Sequence, residues 1–155
     1  ELVDLRHLLE RIATDANFEA KEKGCRLEWE IGETPCMLSL DTQWTSAAIE
    51  NVVRNAIRYT KEASPVSITL EQKAHEVCLA VCDAGPGIPE NQLAQIFEPF
   101  YRVERDRGRT SGGTGLGLAI AARVLAAHGG RIEAQNRSGY EQGLIIRMWW
   151  PKDQA

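Results

Sequence analysis

The chain has 155 residues, 43% of them hydrophobic and 26% charged, with a formal net charge of −4. That length suits one domain with a proper core, and the acidic balance argues against a nucleic-acid binder, which is usually basic. No apolar run approaches the roughly 18 residues needed to span a membrane, and nothing at the start reads as a signal peptide. Cys25, Cys36, Cys78 and Cys82 form no CxxC pair and do not cluster with histidine, so a zinc site is not expected. Free thiols buried in apolar runs suit a reducing cytoplasm. The chain opens at Glu1 without a methionine, as expected of a piece excised from a longer protein.

Leu5, Leu8, Leu9, Ile12 and Ala16 fall at helical spacing, and Gly24 stops that helix. CRLEWEI alternates like a strand, and CMLSL after Pro35 reads as a second. Asp41 is an expected N-cap for a long helix running through Thr60. PVSITLEQK and EVCLAVCDA form a hairpin around Ala74 and His75, and PENQLAQIF suggests a short helix. Residues 101–113 are polar and rich in arginine and glycine, which predicts a mobile loop. A helix to about His128 follows, then the strands RIEAQN and GLIIRMWW. The pattern of helix then β-hairpin, three times over, predicts a two-layer α/β sandwich with a mixed sheet on about three helices.

Three stretches carry candidate chemistry. On the second long helix, Ile49, Val52, Val53, Ala56 and Ile57 share one side, while Asn51, Asn55 and Arg58 share the other, with Tyr59 at its edge. Asparagine is a middling-to-poor helix former, so two of them on one face point away from an ordinary solvated surface. Their amides offer neutral oxygens to a hard cation, and magnesium prefers one or two protein oxygens completed by water and phosphate. In CDAGPGI, Asp83 emerges at a strand's end before a turn shaped by Gly85, Pro86 and Gly87, where its carboxylate can accept from a ligand amine. GGTGLGLAIAARV, residues 112–124, leads a glycine-rich turn into a helix, whose N-terminus favours an anion. It is neither a P-loop, since Leu118 follows Gly117, nor a dinucleotide fingerprint, since Ile120 stands at the third glycine position.

Taken together, AIENVVRNAIRYT, DAGPGI, IFEPFYR and GGTGLGLAIA, in this order, resemble the N box, first glycine box, F box and second glycine box of sensor histidine kinase catalytic domains. These belong to the superfamily shared with gyrase, Hsp90 and MutL. The likeness extends to the closing GLIIRMWWP, and the run from the F box to the second glycine box is most similar to membrane-tethered kinases of the Cpx or EnvZ type. The resemblance implies a Bergerat-type fold binding ATP and magnesium. It implies Asn55 as the magnesium ligand, Asn51 at the phosphates, Arg58 reaching the phosphates and Tyr59 packing against the nucleotide. Asp83 is then the reader of the adenine amine, and Gly85, Gly87 and Ile88 shape the adenine pocket. Arg102 belongs to the lid over the phosphates, and Gly113, Thr114, Gly115, Leu116 and Gly117 present backbone to the triphosphate. Phe97 and Phe100 are expected to anchor a loop in the core, and His128 to end a helix, where positive charge is favourable.

The sequence departs from the family in two ways. Leu144 stands after Gly143, where a Ser or Thr is common. No histidine has the phosphoacceptor context: His7 and His128 lack it, and His75 precedes an acid but sits in a turn without the proline. The resemblance therefore implies the ATP-holding part of a kinase, with its dimerising acceptor domain, a response regulator and an inner-membrane parent as counterparts. The domain itself would be a cytoplasmic monomer free of membrane and nucleic acid, within a homodimeric parent. A superfamily ATPase and a non-catalytic nucleotide-sensing module stay open as alternatives. In the gyrase and Hsp90 branch a glutamate one turn before the magnesium-binding asparagine activates water; here that position is Asn51, and Glu50 is turned about 100° away.

Overall fold

The computed structural model describes residues 1–101, 116–138 and 142–152. The expected lid, with Arg102, and the turn residues Gly113, Thr114 and Gly115 lie outside the described residues. In order, the elements are β1 (Leu2–Asp4), α1 (Leu5–Glu22), β2 (Arg26–Glu30), β3 (Met37–Ser39), α2 (Thr42–Tyr59), β4 (Pro65–Gln72), β5 (Glu76–Cys82), α3 (Gly117–Ala127), β6 (Arg131–Asn136) and β7 (Leu144–Pro151). Five strands form one mixed sheet in the order β2-β4-β5-β7-β6, and β1 and β3 form a separate ribbon.

Alternation along the strands builds the core. Ile68, Val81, Ile146 and Ala134 stand in one cross-strand row, and Leu70, Leu79, Met148 and Ile132 in the next. α1 lies over β2, α2 over β5, and α3 over β6 and β7, giving the expected two layers. On the other face, Trp149 packs beneath Arg131, whose guanidinium carbon is 4.3 Å from the ring centre.

The first of the three expected hairpins does not form. β2 joins the sheet edge parallel to β4, with Leu27 beside Val66, and the chain crosses over through α2. β3 pairs instead with β1, a strand too short to show periodicity in the sequence. Asp4 explains the choice: its Oδ1 accepts from Arg6 N–H at the start of α1 and from Cys36 N–H beside β3, both at 3.0 Å. The stretch PENQLAQIF forms two 3-10 turns, Glu90–Gln92 and Gln95–Phe97, rather than a helix. Phe97 packs against the core, whereas Phe100 is 71% exposed, so only the first of the two anchors the loop. The four cysteines are free; Cys82 is half-buried and the others buried. Burial, reinforced by the Asp4 charge, raises the Cys36 thiol to about 11.

After α2 the chain turns through Ala63 in the left-handed region, at φ 67°, with its N–H donating to the Gly24 carbonyl at 2.9 Å. A side chain costs about 1–2 kcal/mol in that conformation, and glycine's extra chain entropy offsets about 0.5–1 of it. Ala63→Gly is expected to stabilise the domain by about 0.5–1 kcal/mol, read as a higher urea midpoint at unchanged slope.

Candidate functional site

α2 starts at Asp41, whose Oδ1 accepts from Trp44 N–H at 3.0 Å. Its apolar face is fully used: Ile49, Val52, Val53, Ala56 and Ile57 are all buried. The predicted polar face therefore points away from the sheet. Asn51 is half-buried and its Nδ2 donates to the carbonyl of Gly117, the first residue of α3, at 3.1 Å. One turn on, Asn55 is half-buried and its side chain makes no hydrogen bond among the described residues, and Arg58 is exposed, its side chain likewise without one. Glu50 lies on another side of the helix, 3.7 Å from Arg54, which also approaches Glu19 of α1 at 3.9 Å. That ion pair holds its carboxylate toward α1.

Asp83 follows β5 and is 3% exposed. Its Oδ1 accepts from Gly85 N–H at 2.8 Å and Leu144 N–H at 3.2 Å. The other carboxylate oxygen has no partner among the described residues. Burial raises the Asp83 pKa, opposed by the Gly85 and Leu144 amides and by the Arg137 charge. Arg137 also donates to the Asp83 carbonyl at 3.3 Å.

The loop after Asp83 is fitted tightly. A Cβ at Gly85 would drive into the Tyr59 carbonyl oxygen at the end of α2, so only glycine fits. Thr60, capping α2, accepts from Ala84 N–H at 3.0 Å through its hydroxyl. Gly87 has φ 75°, and Ile88 donates its N–H to Asn136 Oδ1 at 2.9 Å. Tyr59 is half-buried beside this loop.

Asn51, Leu116 and Gly117 thus meet at one end of the α2–α3 pair, and Tyr59, Asp83, Gly85, Gly87 and Ile88 meet at the end of α2. Sequence reasoning missed Thr60, Asn136 and Arg137, none of which sits at a recognisable spacing. It flagged Leu144 for its side chain, whereas the group that matters there is the backbone N–H. His128 does end α3. Its Nδ1 donates to the Val124 carbonyl at 2.8 Å and its Nε2 accepts from Asp41 N–H at 3.0 Å.

Residues 41–154 match the family of histidine kinase-, DNA gyrase B-, and HSP90-like ATPases. The sensor histidine kinase CpxA of Escherichia coli K12 is 34% identical over 151 residues, 97% of this chain and 32% of that protein. The chain thus spans about a third of that relative's length. The mycobacterial sensor histidine kinase MprB superposes with a TM-score of 0.85 at 27% identity, each chain fully covered. Full-length ShkA, solved in complex with AMPPNP, gives a TM-score of 0.83 at 31% identity over 100% of this chain and 31% of its own. The chain belongs to the histidine kinase-, DNA gyrase B- and HSP90-like ATPase family, a nucleotide-binding family, and within it to the catalytic domains of sensor histidine kinases.

Proposed function

We propose that this domain binds magnesium ATP and donates its γ-phosphoryl group to a histidine on a separate dimerisation domain, in a sensor kinase that signals to a response regulator. The observation that carries this reading is Asp83: a buried carboxylate with one oxygen committed to two backbone amides and the other unclaimed among the described residues. A group held this way is built to accept a hydrogen bond from a ligand amine, as on adenine.

On this reading Asp83 takes the adenine amine, and Gly85, Gly87 and Ile88 form the wall of the base pocket with Tyr59 against the nucleotide. The donor set of α2 fits magnesium: Asn55 presents a half-buried amide with no competing hydrogen bond among the described residues. Magnesium, when bound there, neutralises charge on the phosphate oxygens. Asn51 and the exposed Arg58 stand toward the phosphates. Gly117 and Leu116, with Gly113, Thr114 and Gly115 before them, offer backbone to the triphosphate, and Arg102 belongs to the covering lid. Transfer to a histidine demands mainly positioning and charge stabilisation. A base for the acceptor is supplied by the acceptor domain. All of residues 1–155 form one ATP-binding domain, monomeric alone and part of a homodimeric parent in the bacterial inner membrane, on its cytoplasmic side. No helix among the described residues is long and apolar enough to cross a membrane.

Asp83→Asn separates binding from folding. The folded pKa is raised, so the contribution of this carboxyl to stability is greatest at acidic pH and is lost as pH rises through that value. At neutral pH the asparagine removes a buried charge and keeps an oxygen for Gly85 and Leu144. The variant is expected to melt no lower than wild type, yet to lose about 1.5–3 kcal/mol of ATP affinity and most of its discrimination against GTP. Unfolding scans and calorimetric titrations test both. Asn55→Ala is expected to remove the magnesium dependence of ATP binding with little change in melting, because its side chain lies off the core face. Finally, general-base help is worth about 10²–10⁴-fold, and neither Asn51 nor the ion-paired Glu50 supplies it. Phosphate release by the domain alone is expected to be very slow and unaffected by Glu50→Gln, and phosphoryl transfer to require an added acceptor domain. Vigorous hydrolysis that Glu50→Gln abolishes would restore the ATPase alternative.

A further inference from the structure

Asn136, the last residue of β6, meets both main-chain groups of one residue in the loop after Asp83 and, beside them, the Glu90 side chain. Its Oδ1 accepts from Ile88 N–H at 2.9 Å, and its Nδ2 donates to the Ile88 carbonyl at 2.6 Å and to Glu90 Oε1 at 3.1 Å. The amide thereby replaces a strand partner for a loop residue that has none. The preceding Gly87 fits closely around it, since a Cβ there would lie 2.6 Å from Asn136 Oδ1. The backbone of Asn136 stands opposite Leu144 in the β6–β7 ladder, and Leu144 N–H is one of the two amides holding Asp83. One residue of an edge strand thus sets two positions together: Ile88 through its side chain, and Asp83 through its ladder partner.

We infer that Asn136 is a positioning residue for base recognition, fixing the separation between the Ile88 wall and the Asp83 carboxylate so that adenine is read and guanine refused. This inference rests on the proposed binding of the base at Asp83. It is not a contact to the nucleotide; Asn136 acts through the loop. A side-chain amide carries its donor and its acceptor on separate atoms of one plane, so it can meet the N–H and the C=O of one residue at once. A carboxylate of the same shape keeps the acceptor for Ile88 N–H but turns an anionic oxygen toward the Ile88 carbonyl and Glu90.

The test is calorimetric titration of ATP, GTP and inorganic triphosphate, each with magnesium, into wild type, Asn136→Asp, Asp83→Asn and the double variant. Asn136→Asp is expected to lower the ATP-to-GTP affinity ratio roughly tenfold and to leave triphosphate affinity unchanged. In the double variant the two losses should not add, because both act on one geometry. A merely structural role would weaken all three ligands alike or only lower the melting temperature, and an unchanged ATP-to-GTP ratio would overturn the inference. If Asp83→Asn lowers the ratio while Asn136→Asp does not, this inference alone fails; if wild type shows no preference for ATP, the adenine assignment fails with it. Should Asn136→Asp not fold, Asn136→Ser, which cannot span both groups of Ile88, takes its place and the same ratio decides.

Discussion

A carboxylate buried where β5 ends is the constraint around which the site is arranged. Removing Asp83 from water disfavours its charged form, and the protein answers with backbone groups: the amides of Gly85 and Leu144. Those amides come from the loop after β5 and from the start of β7, so holding one side chain fixes the junction of two strands. Asp83 N–H in turn donates to the Leu144 carbonyl at 3.0 Å, closing the pair. The loop cannot drift without leaving a buried anion less well satisfied, which is costly.

The same loop is locked to α2 from the other side. Lys61 N–H donates to the Ala84 carbonyl at 3.3 Å, the Thr60 hydroxyl accepts from Ala84 N–H, and Gly85 lets the Tyr59 carbonyl approach. Each of these is a main-chain or short-side-chain contact, with little rotamer freedom. The helix bearing Asn51, Asn55 and Arg58 therefore keeps a fixed relation to Asp83. On the proposed reading this rigid link sets the distance between the base end and the phosphate end of one ligand. Sites carried on helices and strands hold such distances better than sites on loops.

The elements that were legible in the sequence are those whose signal is local. The amphipathic period of α2, its Asp41 cap, the β4–β5 hairpin and the ordered glycine boxes all appear as spacing along the chain, and the mixed sheet on a helical layer followed from them. The β1–β3 ribbon was not legible, because β1 has only three residues and its partner lies across α1 and β2. The parallel placement of β2 beside β4 was missed for a related reason: neighbouring strands invite a hairpin, and nothing local reveals that Asp4 claims Cys36 instead. At the site, Asn136 and Thr60 were invisible because their partners are backbone groups 48 and 24 residues away. A backbone amide has no residue type to recognise, so Leu144 was judged by its side chain alone.

The polar face of α2 has a structural reason for carrying an amide at position 51. Asn51 donates Nδ2 to the Gly117 carbonyl, and at the other end of the helix pair Asp41 N–H donates to the ring of His128. These two contacts pin α2 and α3 along their shared length, with Ala48, Val52, Ala121 and Leu125 buried in the core they help to form. A glutamate or aspartate at 51, ionised, has no proton to offer and would set a negative oxygen against the Gly117 carbonyl, where both groups only accept. The helix that begins at Gly117 would lose this tie to α2. A general base at this position and this clamp are therefore mutually exclusive. On the proposed reading Asn51 joins the two: the amide that ties the start of α3 to α2 is also the residue that leaves water without a base.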